Sequence, residues 1–73
     1  MALIALLGRN IRRYRNALGI SQEELAFRAG MKRSYVSGVE LGTRNPTVQA
    51  LERLAGALDL DPRSLLAPDS YMK

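Results

Sequence analysis

Hydrogen-bonding side chains crowd the segment from residue 33 to residue 41, RSYVSGVEL, and their chemistry suits contact with the bases of DNA. Val36 and Val39 stand at helical spacing, so a helix here would bury their side and turn its polar side outward. The guanidinium fork of Arg33 matches the O6 and N7 acceptors of guanine, and such a pair is worth about 1–3 kcal/mol of discrimination. A phosphate contact is the alternative role for Arg33. The candidate base contacts are Arg33, Ser34, Tyr35 and Ser37.

Two residues of this segment have two interpretations each. Tyr35 lies at the border of the buried arc, where it would either brace the helix or touch a pyrimidine methyl group. Gly38 costs roughly 1 kcal/mol relative to alanine inside a helix. It would either permit a close approach to the duplex or have no role.

The elements that must position this segment begin with a second short helix. Ser21 and Glu24 form the capping-box pattern at its start, in which each side chain bonds the other's backbone N–H. Gly30 ends it, because glycine readily adopts the left-handed conformation that a sharp turn requires. Leu25, Ala26 and Ala29 would share its buried face. Residues 21–42 therefore predict two helices held at a fixed angle, with the second one offered outward.

Three further helices are predicted around this pair. The first runs from Met1 to Ala17, the fourth is capped by Thr47, and the fifth starts at Asp61 with Pro62 and stops at Pro68. We expect the tail, residues 69–73, to fray. The predicted apolar stripe of the first helix is Leu3, Leu7, Ile11, Tyr14 and Leu18. The stripe of the fourth is Val48, Leu51, Leu54, Ala55 and Leu58. The chain is thus predicted to be a single all-α domain over residues 1–73.

Charge is unevenly distributed along the chain. The net charge is +4, from 11 Lys and Arg against 7 Asp and Glu, but residues 1–46 carry +5 and residues 47–73 carry −1. A cationic half suits association with polyanionic DNA. The loop GTRNP, residues 42–46, would run along the sugar-phosphate backbone beside the groove. Its candidate phosphate contacts are Thr43, Arg44 and Asn45.

Composition excludes several classes of protein. The chain has no Cys and no His, which removes disulfides, thiolate metal sites and catalysis by either residue, so we expect no enzyme activity and no cofactor. The apolar run ALIALL near the N-terminus lacks a basic segment before it and leads into arginines, so it does not predict a secretion signal. It is also far shorter than the roughly 20 apolar residues of a membrane span. We expect a cytoplasmic protein, with membrane-surface binding by the basic first helix as a minor alternative.

The segments SQEELA, AG, SYVSGVE, GTRNP and LERLAGALDL, in this order, resemble the helix-turn-helix regulators of the phage repressor and Cro type, also called the XRE family. The combination of SYVSGVE, glycine and RNP is most similar to the controller proteins of restriction-modification systems. The likeness covers nearly the whole chain. It implies a five-helix, lambda-repressor-like DNA-binding domain with the helix-turn-helix at residues 21–42.

The resemblance also implies roles for residues outside the predicted DNA-reading face. It implies an ion pair between Arg15 of the first helix and Glu40 at the end of the third. Gln22 would contact a phosphate, which the positive end of its helix would favour, although an exposed helix-former is the alternative. Lys32 departs from the Ser or Thr that usually caps this helix, and would contact phosphate instead.

A chain of this length buries only about 60% of the surface that its unfolded form exposes, so its core is marginal. It could enclose only part of a leucine set near the C-terminus, Leu58, Leu60, Leu65 and Leu66. We therefore predict that residues 61–67 form a dimerisation helix, as in the controller proteins. The resulting prediction is a homodimer that binds a pseudopalindromic operator and activates or represses a restriction-modification operon, possible as two dimers on adjacent sites. The alternatives are a phage-type repressor and an antitoxin that acts mainly through a protein partner.

Overall fold

The computed structural model describes residues 2–68 and consists of helices joined by short turns. The α-helices are α1 (Leu3–Ala17), α2 (Gln22–Ala29), α3 (Arg33–Leu41) and α4 (Val48–Ala57), and a 3-10 helix spans Pro62–Leu66. The described part of the chain contains no β-strand. The all-helical prediction is confirmed, but the prediction of five α-helices is wrong, because the last element is a 3-10 helix. The predicted tail, residues 69–73, and the predicted first residue of α1, Met1, lie outside the described residues.

The apolar stripe of α1 is shorter than predicted. Leu7 and Ile11 are buried and Tyr14 packs partly against the core, but Leu3 and Leu18 are each about half exposed. The helix starts at Leu3 without a side-chain cap. Because its two ends project beyond the other helices, only its middle can be covered.

The segment that joins α2 to α3 is fixed by local hydrogen bonds. Ser21 Oγ accepts from the backbone N–H of Glu24 at 3.0 Å, and Gly30 ends α2 with φ at 68°. The second half of the predicted capping box is wrong, because the Glu24 carboxylate accepts from Arg28 Nε at 2.7 Å instead. An exposed pair four residues apart on a helix competes directly with the cap for the same carboxylate.

Most of α4 packs as its sequence predicts. Thr47 Oγ1 accepts from the backbone N–H of Ala50 at 3.0 Å, and Leu54, Ala55 and Leu58 are buried. Val48 is the exception at 75% exposure. It lies on the first turn, beyond the edge of the core that the later turns cover.

The 3-10 helix is tied to α1 by a buried asparagine. The side-chain amide of Asn10 donates to the backbone carbonyls of Leu65 and Ala67, each at 2.9 Å. At the other end, Asp61 caps the helix by accepting from the backbone N–H of Arg63 at 2.8 Å. Hydrogen bonds from the Arg63 side chain and backbone lower the pKa of the Asp61 carboxyl to about 2. This short element is therefore held by side chains at both ends.

Burial divides the four leucines of the predicted dimer face. Leu58 and Leu65 are 3% and 0% exposed, inside the chain's own core. Leu60 and Leu66 are partly buried and pack against that core from outside. In this conformation Leu58 and Leu65 are not available to a partner, because the 3-10 helix folds back onto α1 and α4.

Helix α1 crosses the end of α3 at very close range at Gly8. A Cβ atom at this position would lie 2.5 Å from the backbone oxygen of Glu40 and 2.6 Å from that of Val39. Glycine is therefore required for the approach, which brings the arginines of α1 alongside Glu40. None of the described helices combines the length and the apolarity that crossing a membrane would demand.

Candidate nucleic-acid interface

Helix α3 presents the polar side that its sequence predicts. Val36 and Val39 are fully buried, whereas Arg33 and Ser34 are exposed and Ser37 is half-buried. Tyr35 is also half-buried and packs against the core. Because the two valines anchor the helix from below, its polar side cannot rotate inward without exposing them. The side chains proposed to contact bases thus share one rigid element.

The corner before α3 is held by a residue that sequence reasoning missed. Arg53 of α4 donates from Nε to the backbone oxygen of Ala29 at 3.0 Å and from Nη2 to that of Gly30 at 2.6 Å. These carbonyls lie at the C-terminal end of α2, where a cation is electrostatically favoured. Arg53 therefore fixes the turn to the fourth helix. No pattern in the sequence near residue 53 indicates this contact, which spans more than 20 residues.

A buried carboxylate joins α1, α2 and α3. The Glu40 side chain is 0% exposed and accepts from Arg15 Nε at 2.7 Å and from Arg15 Nη2 at 3.1 Å. Arg12 Nε and Gln22 Nε2 also donate to Glu40 Oε1, at 3.4 and 3.0 Å. Arg15 Nη1 donates in addition to the backbone oxygen of Ile20 in the loop before α2. One carboxylate thus orients the C-terminal end of α3 relative to both preceding helices.

The charged form of Glu40 is favoured despite its burial. Burial raises the pKa of the Glu40 carboxyl, but the hydrogen bonds from Arg15, Gln22 and Arg12 together outweigh burial. The pKa therefore lies below the ordinary value of 4.5. Near neutral pH the carboxylate is ionised, and it holds two arginines and a glutamine in place.

The predicted phosphate contacts fall into two groups in space. Gln22 begins α2, and in the free protein its amide is turned toward Glu40. Lys32 is exposed at the start of α3, where it makes no side-chain cap. The loop residues Thr43, Arg44 and Asn45 are all exposed on the other side of α3. Both groups border the polar side of α3, as an element that enters a groove between two phosphate rows requires.

Arg44 is closer to α3 than a loop residue needs to be. Its guanidinium carbon lies 5.4 Å from the ring centroid of Tyr35. Lys32, Ser34, Tyr35 and Arg44 line one cleft between the start of α3 and the start of α4. The structure therefore brings a loop cation to the N-terminal half of α3, which the sequence alone did not indicate.

Two apolar side chains lie on the outer surface near these elements. Phe27 is 80% exposed and Leu41 is 67% exposed. Single exposed apolar residues are ordinary on protein surfaces, and nothing in the structure gives these two a role.

Comparisons with known proteins agree with this geometry. The sequence pattern of the helix-turn-helix family matches residues 11–65. The chain is 41% identical to the HTH-type transcriptional regulator y4dJ of Sinorhizobium fredii over 68 residues, which cover 93% of this chain and 88% of the relative.

Solved structures of restriction-modification controller proteins have the same fold. The structure of C.AhdI from Aeromonas hydrophila superposes with a TM-score of 0.86 at 48% identity, covering 89% of this chain and 98% of that one. The structure of C.Esp1396I as a tetramer in complex with its natural 35 base-pair operator superposes with a TM-score of 0.82 at 29% identity, covering 89% of this chain and 86% of that one.

Proposed function

This chain belongs to the helix-turn-helix family, and from that premise we propose that it regulates transcription by binding a pseudopalindromic DNA operator as a homodimer. The observation that carries the proposal is the outward polar side of α3, where Arg33 and Ser34 are exposed above the fully buried Val36 and Val39. Base contacts come from this side, with Arg33 at a guanine. Such a protein acts in the cytoplasm by occupying DNA and catalyses no reaction.

Phosphate contacts on both sides of α3 set its register on the duplex. Gln22 and Lys32 serve one side, and Thr43, Arg44 and Asn45 serve the other. Contacts of this kind fix orientation and contribute most of the salt-dependent affinity without reading sequence. The hydrogen bond from Gln22 to Glu40 keeps the Gln22 amide near the start of α2 until a phosphate oxygen replaces or shares that bond.

Dimerisation supplies the second half-site. One helix offers too few base contacts for useful specificity, whereas two copies of α3 about 34–36 Å apart can enter successive major grooves. Leu60 and Leu66, which pack on the outside of the core beside the 3-10 helix, are the leucines that a partner can cover. By analogy with the controller proteins, we propose that two dimers occupy adjacent operator sites and control a restriction-modification operon by activation at low occupancy and repression at high occupancy.

Selection from a pool of random duplexes tests the DNA-reading proposal. The wild-type protein should enrich an inverted repeat, and Arg33→Ala should bind that repeat at least tenfold more weakly, in line with the loss of about 1–3 kcal/mol. Arg28→Ala is the matched control, because it removes the same charge from an exposed pair on α2. An unenriched pool, or equal loss in both variants, would reject the proposal.

Sedimentation equilibrium at micromolar concentration tests the dimer. The wild-type chain should sediment as a dimer, and Leu66→Asp should sediment as a folded monomer, with circular dichroism reporting its helix content. A wild-type chain that remains monomeric both alone and on the enriched repeat would rule the interface out.

A reporter gene tests the regulatory part. The chain's own upstream DNA, placed before the reporter, should give expression that rises and then falls as the protein concentration increases. A response that is the same for wild type and Arg33→Ala would contradict regulation through DNA.

A further inference from the structure

We propose that Arg44 is a second base-reading residue of the operator complex, and that Gly38 and Tyr35 position its guanidinium. This inference rests on the proposed function and deepens it, because a loop residue expected only to contact phosphate becomes a determinant of sequence specificity. Its evidence is the path that the Arg44 side chain takes across α3.

The backbone of the loop is fastened to α3 at a single residue. The carbonyl oxygen of Gly38 accepts from the backbone N–H of Thr43 at 2.9 Å, from that of Arg44 at 3.2 Å and from Thr43 Oγ1 at 3.2 Å. The loop therefore folds back over the helix, and the Cα atom of Arg44 cannot move far from Gly38 while these bonds hold.

The methylene stem of Arg44 then lies directly on Gly38. A Cβ atom at position 38 would be 2.6 Å from Cγ of Arg44, 3.3 Å from Cδ and 3.4 Å from Cβ. Glycine is unfavourable inside a helix, so its presence here calls for a reason. The reason in this structure is space, because any larger residue would push the arginine off the helix.

The head of Arg44 reaches Tyr35, one turn closer to the N-terminus of α3. Residues 35 and 38 lie on the same side of a helix, so the side chain runs along α3 toward Ser34 and the cleft that they share. Its guanidinium carbon is 5.4 Å from the Tyr35 ring centroid, within the range of cation–π attraction. The half-buried Tyr35 is itself packed against the core, so the ring is a fixed support.

This arrangement suits base reading better than phosphate contact. A phosphate contact requires only charge and reach, and a freely moving arginine or lysine can provide both. A bidentate contact to a base requires the guanidinium fork in one orientation, and holding it there before binding reduces the loss of side-chain freedom. Gly38 and Tyr35 provide that restraint beside the exposed Arg33 and Ser34.

The test uses the operator enriched by the wild-type chain and every single base-pair variant of it. Affinities of wild type, Arg44→Lys and Arg44→Ala are measured by fluorescence anisotropy at several salt concentrations. We expect one guanine-containing pair in each half-site at which wild type discriminates roughly tenfold or more. Arg44→Lys should lose discrimination at that pair alone while the dependence of affinity on salt is retained.

Variants of the two supports test the positioning. Gly38→Ala should reproduce the Arg44→Lys profile, and adding it to Arg44→Ala should cause no further loss. Tyr35→Phe, which keeps the ring, should preserve the Arg44-dependent preference, and Tyr35→Leu should abolish it. Gly56→Ala is the control for a glycine replaced inside a helix, since a Cβ there meets no atom within 4 Å. Circular dichroism checks that each variant is folded.

Three results would overturn the inference. Arg44→Ala might weaken binding to all duplexes by one factor and lower the salt slope by about one, which is the signature of a phosphate contact. Arg44→Ala might leave every affinity unchanged. Gly38→Ala might keep the wild-type profile, which would remove the role of the glycine. In each case the wild type still prefers its operator, so the proposed function stands; a wild type without any sequence preference would instead reject both.

Discussion

Arg15 and Glu40 form an ion pair at 2.7 Å between α1 and the last turn of α3, with the Glu40 side chain fully buried and the Arg15 side chain 13% exposed. Removing two charges from water is costly, so such a pair is weak evidence for net stability. Its geometric consequence is stronger. Because Glu40 also accepts from Gln22 of α2, the carboxylate sets the angle at which α3 leaves the rest of the protein.

Glu40→Ala should destabilise the fold and weaken DNA binding together. Removing one partner of a buried pair leaves the other without compensation and costs about 3–5 kcal/mol. Urea unfolding followed by circular dichroism measures the stability. Glu24→Ala is the control, since its pair with Arg28 is exposed on both sides and worth at most about 1 kcal/mol. Unfolding of Glu40→Ala at the wild-type urea concentration would contradict the structural role of the pair.

Acid should weaken the wild type more than Glu40→Gln. The pKa of Glu40 is lowered in the folded state, so its contribution to stability is complete above the ordinary value of 4.5 and is lost as pH falls through the folded-state pKa. Free energies of unfolding at intervals from pH 7 down to pH 3 should therefore converge for the two proteins. Asp61→Asn separates the contribution of the other carboxyl with a lowered pKa. Parallel curves for wild type and Glu40→Gln would contradict the assignment.

Gly8→Ala should destabilise the protein, although alanine is the better helix former. Its Cβ would lie 2.5 Å from the Glu40 backbone oxygen, and relieving such an overlap typically costs about 1–3 kcal/mol. Gly56→Ala provides the opposite case in open space, and it should stabilise α4 by about 0.5–1 kcal/mol. Thermal unfolding of the two variants should shift in opposite directions. A shift in the same direction would show that helices α1 and α3 separate easily.

Asn10→Leu should loosen the 3-10 helix. The substitution leaves the carbonyls of Leu65 and Ala67 without their donor, at a cost of about 1–3 kcal/mol for a buried unsatisfied group. Hydrogen exchange of the backbone N–H of Ala67, which donates to Ser64, should become faster. Asn16→Leu on the exposed side of α1 is the control, and an equal effect of the two substitutions would count against the anchoring role of Asn10.

Local chemistry explains which parts of this fold the sequence could predict. Ser21, Gly30 and Thr47 act on atoms within four residues, and the limits of α3 follow from Val36, Val39 and the glycine at position 42. The contacts made by Gly8, Asn10 and Arg53 could not be predicted, because each joins residues more than 20 positions apart.

The candidate site divides in the same way. The outward position of Arg33 and Ser34 followed from the helical pattern, whereas the ion pair between Arg15 and Glu40 was expected only from the resemblance to a family. Arg12 as a further partner of Glu40 and Arg44 as a neighbour of Tyr35 were not foreseen. Long side chains can reach several partners, and only the packed helices decide among them.

The most direct test of the account is dimethyl sulfate footprinting of the enriched operator, because this reagent methylates guanine N7 in the major groove and adenine N3 in the minor groove. Wild type should protect guanine N7 in two clusters whose centres are about 10–10.5 base pairs apart, one helical turn, and Arg33→Ala should lose protection at one guanine in each cluster. Firm binding with protection confined to adenine N3, or with no protected guanine, would contradict entry of α3 into the major groove.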